Sequence, residues 1–214
     1  SRSKLSVLFV RGNSAFNIKD GSALFTEKDK MITKAVMGLG SKDKTQLGEG
    51  VFRQYGKGEN GFNITSCQFA VHYFFENLEI CAGFFKNVAQ LTKKDGYFIG
   101  TCYDGYNIFK LLNKKSKGES IEIIKENKKI WQITKQYDNK VFNADKNSLG
   151  YAIDVYQESI NKTFREYLVH FEYLTYIMKN LGFIVYDSED VKGIASFETL
   201  YNKDTMSNEE KIIS

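Results

Sequence analysis

The 214-residue chain contains no proline, where average usage of about 5% would supply around ten. Lysine and asparagine are abundant, so this absence is first a compositional bias of the source. No apolar run approaches the roughly 20 residues that a membrane-spanning helix needs, so no membrane association is expected. The first residues show no secretory signal, because Arg2 and Lys4 precede only a strand-length apolar stretch. Cysteine is sparse and odd in number. Cys67, Cys81 and Cys102 lack metal-ligand spacing, which implies a reduced intracellular protein without a structural metal.

What is present fits one α/β domain of ordinary size, with 42% hydrophobic residues, 17 Phe and 13 Tyr to build a core. A net charge of +4 is too small by itself to require a nucleic-acid partner. Its distribution says more. Nine lysines lie between Lys110 and Lys140 against Glu119, Glu122, Glu126 and Asp138. A phosphate-holding surface and a solvated lysine face are both compatible with that stretch.

Along the chain, "KLSVLFV" (4–10) reads as a buried strand ending at Arg11-Gly12-Asn13. "TEKDKMITKAVMG" (26–38) reads as a helix with Thr26 and Asp29 in capping-box positions. Residues 38–61 carry seven glycines and read as a surface loop; "GLGSKDK" lacks the ending and the preceding strand of a phosphate loop. "FNITSCQFAV" (62–71) predicts a strand. Leu78, Cys81, Phe84, Phe85, Val88 and Leu91 then repeat at helical spacing, Asp95-Gly96 marks a stop, and "YFIGTCY" (97–103) predicts a second strand. Strand, helix, strand is the parallel unit of an α/β sheet. Two β-rich arms in 121–137 and a third in 151–157 predict an antiparallel insertion over about 118–158. Phe164, Tyr167, Leu168, Phe171, Leu174, Met178 and Leu181 predict a long helix, and "FIVYDSEDV" (183–191) a return to the sheet.

Chemistry concentrates in "CQFAVHYFFEN" (67–77), where His72 and Gln68 interrupt an apolar and aromatic run. Ligands of open α/β sheets bind past the carboxyl ends of strands, and this stretch is such an end. A satisfied core histidine is the alternative for His72, with Tyr73, Phe74 and Phe75 as core filler.

"SCQFAVHYFFEN", the downstream "KKDGYFIGT" and the later "REYLVHF" resemble, in order and spacing, three blocks of the messenger-RNA cap (guanine-N7) methyltransferases. The likeness runs from about Leu5 to Met206 and is strongest to the methyltransferase domains of capping enzymes from large DNA viruses. It implies a Rossmann-like sheet and an enzyme that moves a methyl group from S-adenosyl-L-methionine to N7 of the capping guanosine. By position, the resemblance implies that Gln68 and Tyr73 touch the cofactor, with Asn13 and Ser14 on its adenine side. Relatives usually carry an aspartate where Asn13 stands; asparagine keeps the carbonyl acceptor and loses the charge. His72 would face the guanine, and Glu166 would accept from its Watson–Crick edge. A first-turn glutamate favoured by a helix dipole is the alternative for Glu166.

One carboxylate can accept both adjacent donors of guanine, which adenine does not offer, and the wrong base would leave it buried and unpaired. Stacking on Phe69 or Tyr73 would add about 1–3 kcal/mol. Because N7 is unprotonated at neutral pH, orientation rather than a general base would carry the reaction, with His72, Tyr73 and Glu166 orienting and no metal. Lys125, Lys128 and Lys129 would guide the RNA.

Two departures stand out. The family's glycine-rich cofactor loop has no counterpart here, and the chain stops short of a final aromatic strand, so it reads as a fragment of one methyltransferase domain (1–214) with exposed sheet edges. Arg165 and Tyr103 occupy sites where relatives often have proline, and Tyr103 is placed to alter the cap rim. Expected partners are the 5′ end of capped mRNA and the rest of a capping polypeptide or another capping subunit, in infected-cell cytoplasm or a virion. A non-catalytic, methyltransferase-like binding or stimulatory subunit is the rival reading.

Overall fold

The computed structural model describes residues 6–186. Helix α1 (Glu27–Val36) starts where the capping box places it: the Thr26 hydroxyl accepts from Asp29 N, while its own proton goes to the Asp29 carboxylate at 2.7 Å. The glycine-rich stretch is not all loop. It holds α2 (Lys44–Phe52), capped by Asp43 and kinked at Gly48, where φ is +71°. Asp43 supplies the start signal, and the Glu49–Arg53 pair at helical spacing supports the second half.

Strand β1 (Phe62–Cys67), helix α3 (Leu78–Leu91) and strand β2 (Thr92–Gly100) form the expected parallel unit, with Ile64 opposite Tyr97 and Cys67 opposite Gly100. The first strand ends earlier than predicted. Phe69 turns the chain with φ +50°, and Val71–Phe75 form a short 3-10 helix rather than more strand. The second strand begins earlier: Asp95-Gly96 is a bulge inside β2, not the helix stop. A Cβ at Gly96 would meet the carbonyls of Asn63 and Lys93 at 2.9 Å, so only glycine lets those backbones close. Helix α3 is capped by Asn77 and buries Cys81, Phe84, Phe85 and Val88 against one face of the pair. The other face leaves Ile64 57%, Tyr97 48% and Ile99 47% exposed, unlike the two covered faces usual for parallel strands.

The predicted strand at 4–10 is not formed over its described residues. Val7, Leu8, Phe9 and Val10 are exposed, because among the described residues no strand lies alongside to take their backbone groups. Only Arg11–Asn13 pairs, with Ala23–Phe25, closing a loop between.

After α4 (Gly105–Leu111), strands β3 (Ser120–Lys125), β4 (Lys128–Lys135), β5 (Ala152–Gln157) and β6 (Lys162–Tyr167) form an antiparallel sheet in chain order. The insertion therefore extends beyond 158 to Tyr167. Phe164, Tyr167 and Leu168 do not open a helix as their spacing predicted. Asn161, at φ +52°, turns the chain back; Phe164 pairs with Val155, and Arg165 binds the Asp154 carboxylate across the strands. Helix α5 is shorter (Phe171–Asn180), and Phe183–Tyr186 form no strand, the remainder of 183–191 lying outside the described residues.

Two cores result. One joins α3, α5 and the 3-10 helix around Phe75 and Phe85; the other packs α4 on the antiparallel sheet around Leu112, Ile133 and Ile153. Gly105 closes the junction: its N–H donates to Val169 O at 3.2 Å, and a Cβ there would lie 2.4 Å from that oxygen. Tyr103 packs against the second core with its hydroxyl 3.3 Å from Trp131 Nε1 and Gln157 Nε2. Among the described residues no helix is long and apolar enough to cross a membrane.

Candidate functional site

The 3-10 helix after β1 and the end of β6 meet at the junction of the cores, and each contributes one polar side chain. His72 Nε2 lies 3.6 Å from Glu166 Oε2, with the side chains only 7% and 10% exposed. Among the described residues, neither nitrogen of His72 nor Oε2 of Glu166 has a hydrogen-bond partner. Burial pushes His72 down to about 4 and Glu166 up to about 7, so desolvation drives both towards neutrality and no ion pair forms. Two buried polar side chains left unpartnered cost folding free energy, which a ligand supplying their hydrogen bonds would offset.

This geometry removes two alternatives. His72 is buried but unsatisfied, so it is not a satisfied core histidine. Glu166 sits on a strand opposite Ile153, so no helix dipole accounts for it. Tyr73 packs edge-on against His72 at 4.3 Å between ring centroids and is 40% exposed, forming the lip of the site. Its phenol is pushed up by desolvation first and by the Glu166 charge second.

Gln68 and Phe69 sit at the carboxyl end of β1, organised by Thr101 just past the end of β2, a residue that sequence pattern alone does not single out. The Thr101 hydroxyl accepts from Phe69 N at 2.8 Å and donates to Gln68 Oε1 at 3.1 Å. Gln68 Nε2 donates to Ser66 Oγ at 3.0 Å. One hydroxyl thus fixes both the amide of Gln68 and the left-handed turn that leaves Phe69 71% exposed. A threonine directly after the "YFIG" strand was its only sequence signal.

Asn13 and Ser14 lie on the loop closed by the 11–13 and 23–25 pairing. Asn13 Oδ1 accepts from Ala15 N at 3.0 Å, which holds the amide at an exposed turn. The loop is carried by α3 through Asn87, which sequence pattern alone does not single out. An asparagine three positions after Phe84, inside an apolar stripe, was the available signal.

The three lysines are not beside this pair. Glu166 lies opposite Ile153, which lies opposite Lys135; from there to Lys128 along β4 is roughly 23 Å at about 3.3 Å per residue. At that far end Lys128 pairs with Glu158 at 2.5 Å, and Lys129 bonds Gln132 and lies 4.9 Å from the Tyr156 ring centroid. Lys125 is exposed at the same hairpin.

A parallel strand-helix-strand unit with polar side chains gathered past the carboxyl end of β1 is the arrangement at which open α/β sheets in general take ligands. Residues 29–212 match the family model described as the mRNA (guanine-N(7))-methyltransferase domain, and the chain belongs to that family. It is similar to a probable mRNA-capping enzyme of Acanthamoeba polyphaga mimivirus, 34% identical over 56% of this chain and 10% of that protein. It is also similar to the mRNA cap guanine-N(7) methyltransferases of Drosophila melanogaster, 42% identical over 23% of this chain and 12% of the relative, and of Aspergillus niger, 37% over 29% and 10%. The chain spans about a tenth of the length of these curated relatives. The parallel pair with its antiparallel sheet is a methyltransferase-like α/β fold.

Proposed function

We propose that the protein carrying this chain methylates N7 of the guanosine that caps mRNA, with S-adenosyl-L-methionine as donor. The observation that carries this reading is the unpartnered His72–Glu166 pair. Guanine presents an acceptor oxygen beside two N–H donors on one edge. A neutral His72 has one N–H to give to that oxygen, and an ionised Glu166 accepts from both donors. One nitrogen of His72 and the Glu166 carboxylate then gain partners that adenine would not supply.

The residues at the strand ends suit the cofactor. Gln68 and Asn13 present exposed amides, each both donor and acceptor, and Tyr73 and Phe69 present exposed aromatic faces that favour a sulfonium cation. When bound, the cofactor supplies an electrophilic methyl group. The chain's own part is orientation: Glu166 and His72 fix the base in its plane, and Phe69 or Tyr73 stacks on it. Holding N7 in near-attack geometry can supply roughly 7–11 kcal/mol, and no proton need be moved.

The test is methyl transfer by the intact protein from labelled S-adenosylmethionine to GpppA-capped and ApppA-capped RNA. Transfer to the guanosine cap alone, lost in Glu166→Ala, is expected. Equal labelling of both caps overturns the assignment. Tight, guanosine-selective binding without any transfer favours the non-catalytic subunit instead.

A further inference from the structure

Asn87 is 3% exposed on the apolar side of α3, yet its amide is fully used. Nδ2 donates to Ser14 O at 2.8 Å and Phe16 O at 2.6 Å, and Oδ1 accepts from Ile18 N at 2.9 Å. One helical turn earlier, a Cβ on Gly83 would stand 1.9 Å from Ala15 O, so the loop backbone rests directly on the helix there. The loop is also tied within itself. Phe16 N donates to Asn13 O, and the Asn17 carboxamide oxygen accepts from Lys19 N and Asp20 N. The 13–18 segment is thus a preformed turn held on α3 by one side chain and one missing side chain. The opposite end of α3 begins at Asn77, immediately after the helix that carries His72.

We propose that Asn87 and Gly83 are positioning residues that set cofactor affinity without touching the cofactor, by fixing Asn13 and Ser14; this rests on the reading of those two as its adenine-side contacts. A loop held in its binding geometry before the ligand arrives loses less freedom on binding. Removing the Asn87 amide leaves two carbonyls and one N–H without their buried partner. Adding a methyl at Gly83 lifts the same loop by a different route. Neither change touches the guanine-facing pair, so the two ligands should respond differently.

The experiment compares Asn87→Ala and Gly83→Ala with the wild-type intact protein. It measures Kd for S-adenosylmethionine, Kd for a cap analogue, and exchange of the Ile18 amide. In variants with unchanged circular dichroism, cofactor affinity should fall about tenfold or more, Ile18 should exchange faster, and cap affinity should stay within about twofold. If cofactor affinity is unchanged, or if cap affinity falls in step, the positioning role is wrong. Wild-type protein that binds no S-adenosylmethionine overturns the proposed function and this role together; binding by the wild type and equally by both variants overturns the role alone.

Discussion

His72 and Glu166 stand 3.6 Å apart between Nε2 and Oε2, one on the 3-10 helix after the parallel strand β1, the other on antiparallel strand β6. The two sheets thus meet at a shared polar pair. Burial keeps His72 neutral and holds Glu166 near the midpoint of its titration at neutral pH, and the pair's unmet hydrogen bonds are what a base edge would complete.

Replacing Glu166 with glutamine keeps the shape and removes the charge. Guanosine-cap affinity should fall roughly 10- to 100-fold, because bonds to a charged acceptor contribute about 1.5–3 kcal/mol. Stability at pH 7.5 should not fall, since the buried carboxylate was already costly there. Titration calorimetry and thermal melts check both; unchanged cap affinity removes Glu166 from the pocket.

The pair sets opposing pH dependences of stability. Between its ordinary 4.5 and about 7, Glu166 holds in the folded state a proton that the unfolded chain has released, so its contribution falls as pH rises. Between about 4 and 6.5, the unfolded chain holds a His72 proton that the folded state has released, so that contribution rises with pH. Urea midpoints of Glu166→Gln, relative to wild type, should therefore climb more steeply with pH as it rises from about 4.5 to 7. Those of His72→Gln should fall across the His72 window.

Cap affinity should weaken as pH drops below about 7, where Glu166 takes up its proton. The limb should vanish in Glu166→Gln and persist in His72→Ala. A methyl-transfer limb that disappears with His72→Ala instead would show that the histidine titrates in the chemistry.

Thr101→Val removes the hydroxyl shared by Gln68 and the Phe69 turn. A loss of about 1 kcal/mol in stability is expected for a bond of this kind, with KM raised for both cofactor and cap. Thr101→Ser should restore both. A valine variant with wild-type KM values would show that the turn holds without the hydroxyl.

Replacing Lys125, Lys128 and Lys129 together with alanine tests the remote hairpin. If all three meet phosphates of single-stranded RNA, the slope of log affinity against log salt should shrink by about 2, at about 0.7 per contact. Because Lys128 already pairs with Glu158, a smaller change is expected if it stays engaged there. An unchanged slope removes the RNA role.

The parallel unit was legible because α3 carries a full apolar stripe between two short β-rich runs, which became β1 and β2. The capping box at Thr26 was legible for the same local reason. Phe164 to Leu181 misled because apolar residues at steps of three and four fit a helix, whereas the hairpin partner β5 decided for strand. The 4–10 run is strongly apolar, but a strand exists only where a neighbour accepts its hydrogen bonds.

The local order of residues by itself determined that His72 stands just past a strand, that α3 is amphipathic, and that a glutamate sits in the "EYLV" block. Only the tertiary structure decided that Glu166 is a strand residue reaching His72, that Thr101 holds Gln68, and that Asn87 clasps the 13–18 loop. Periodicity reports which face of an element is apolar. Which distant polar groups share a buried site depends on how separate elements pack, because desolvated hydrogen bonds are formed across the core and not along the chain.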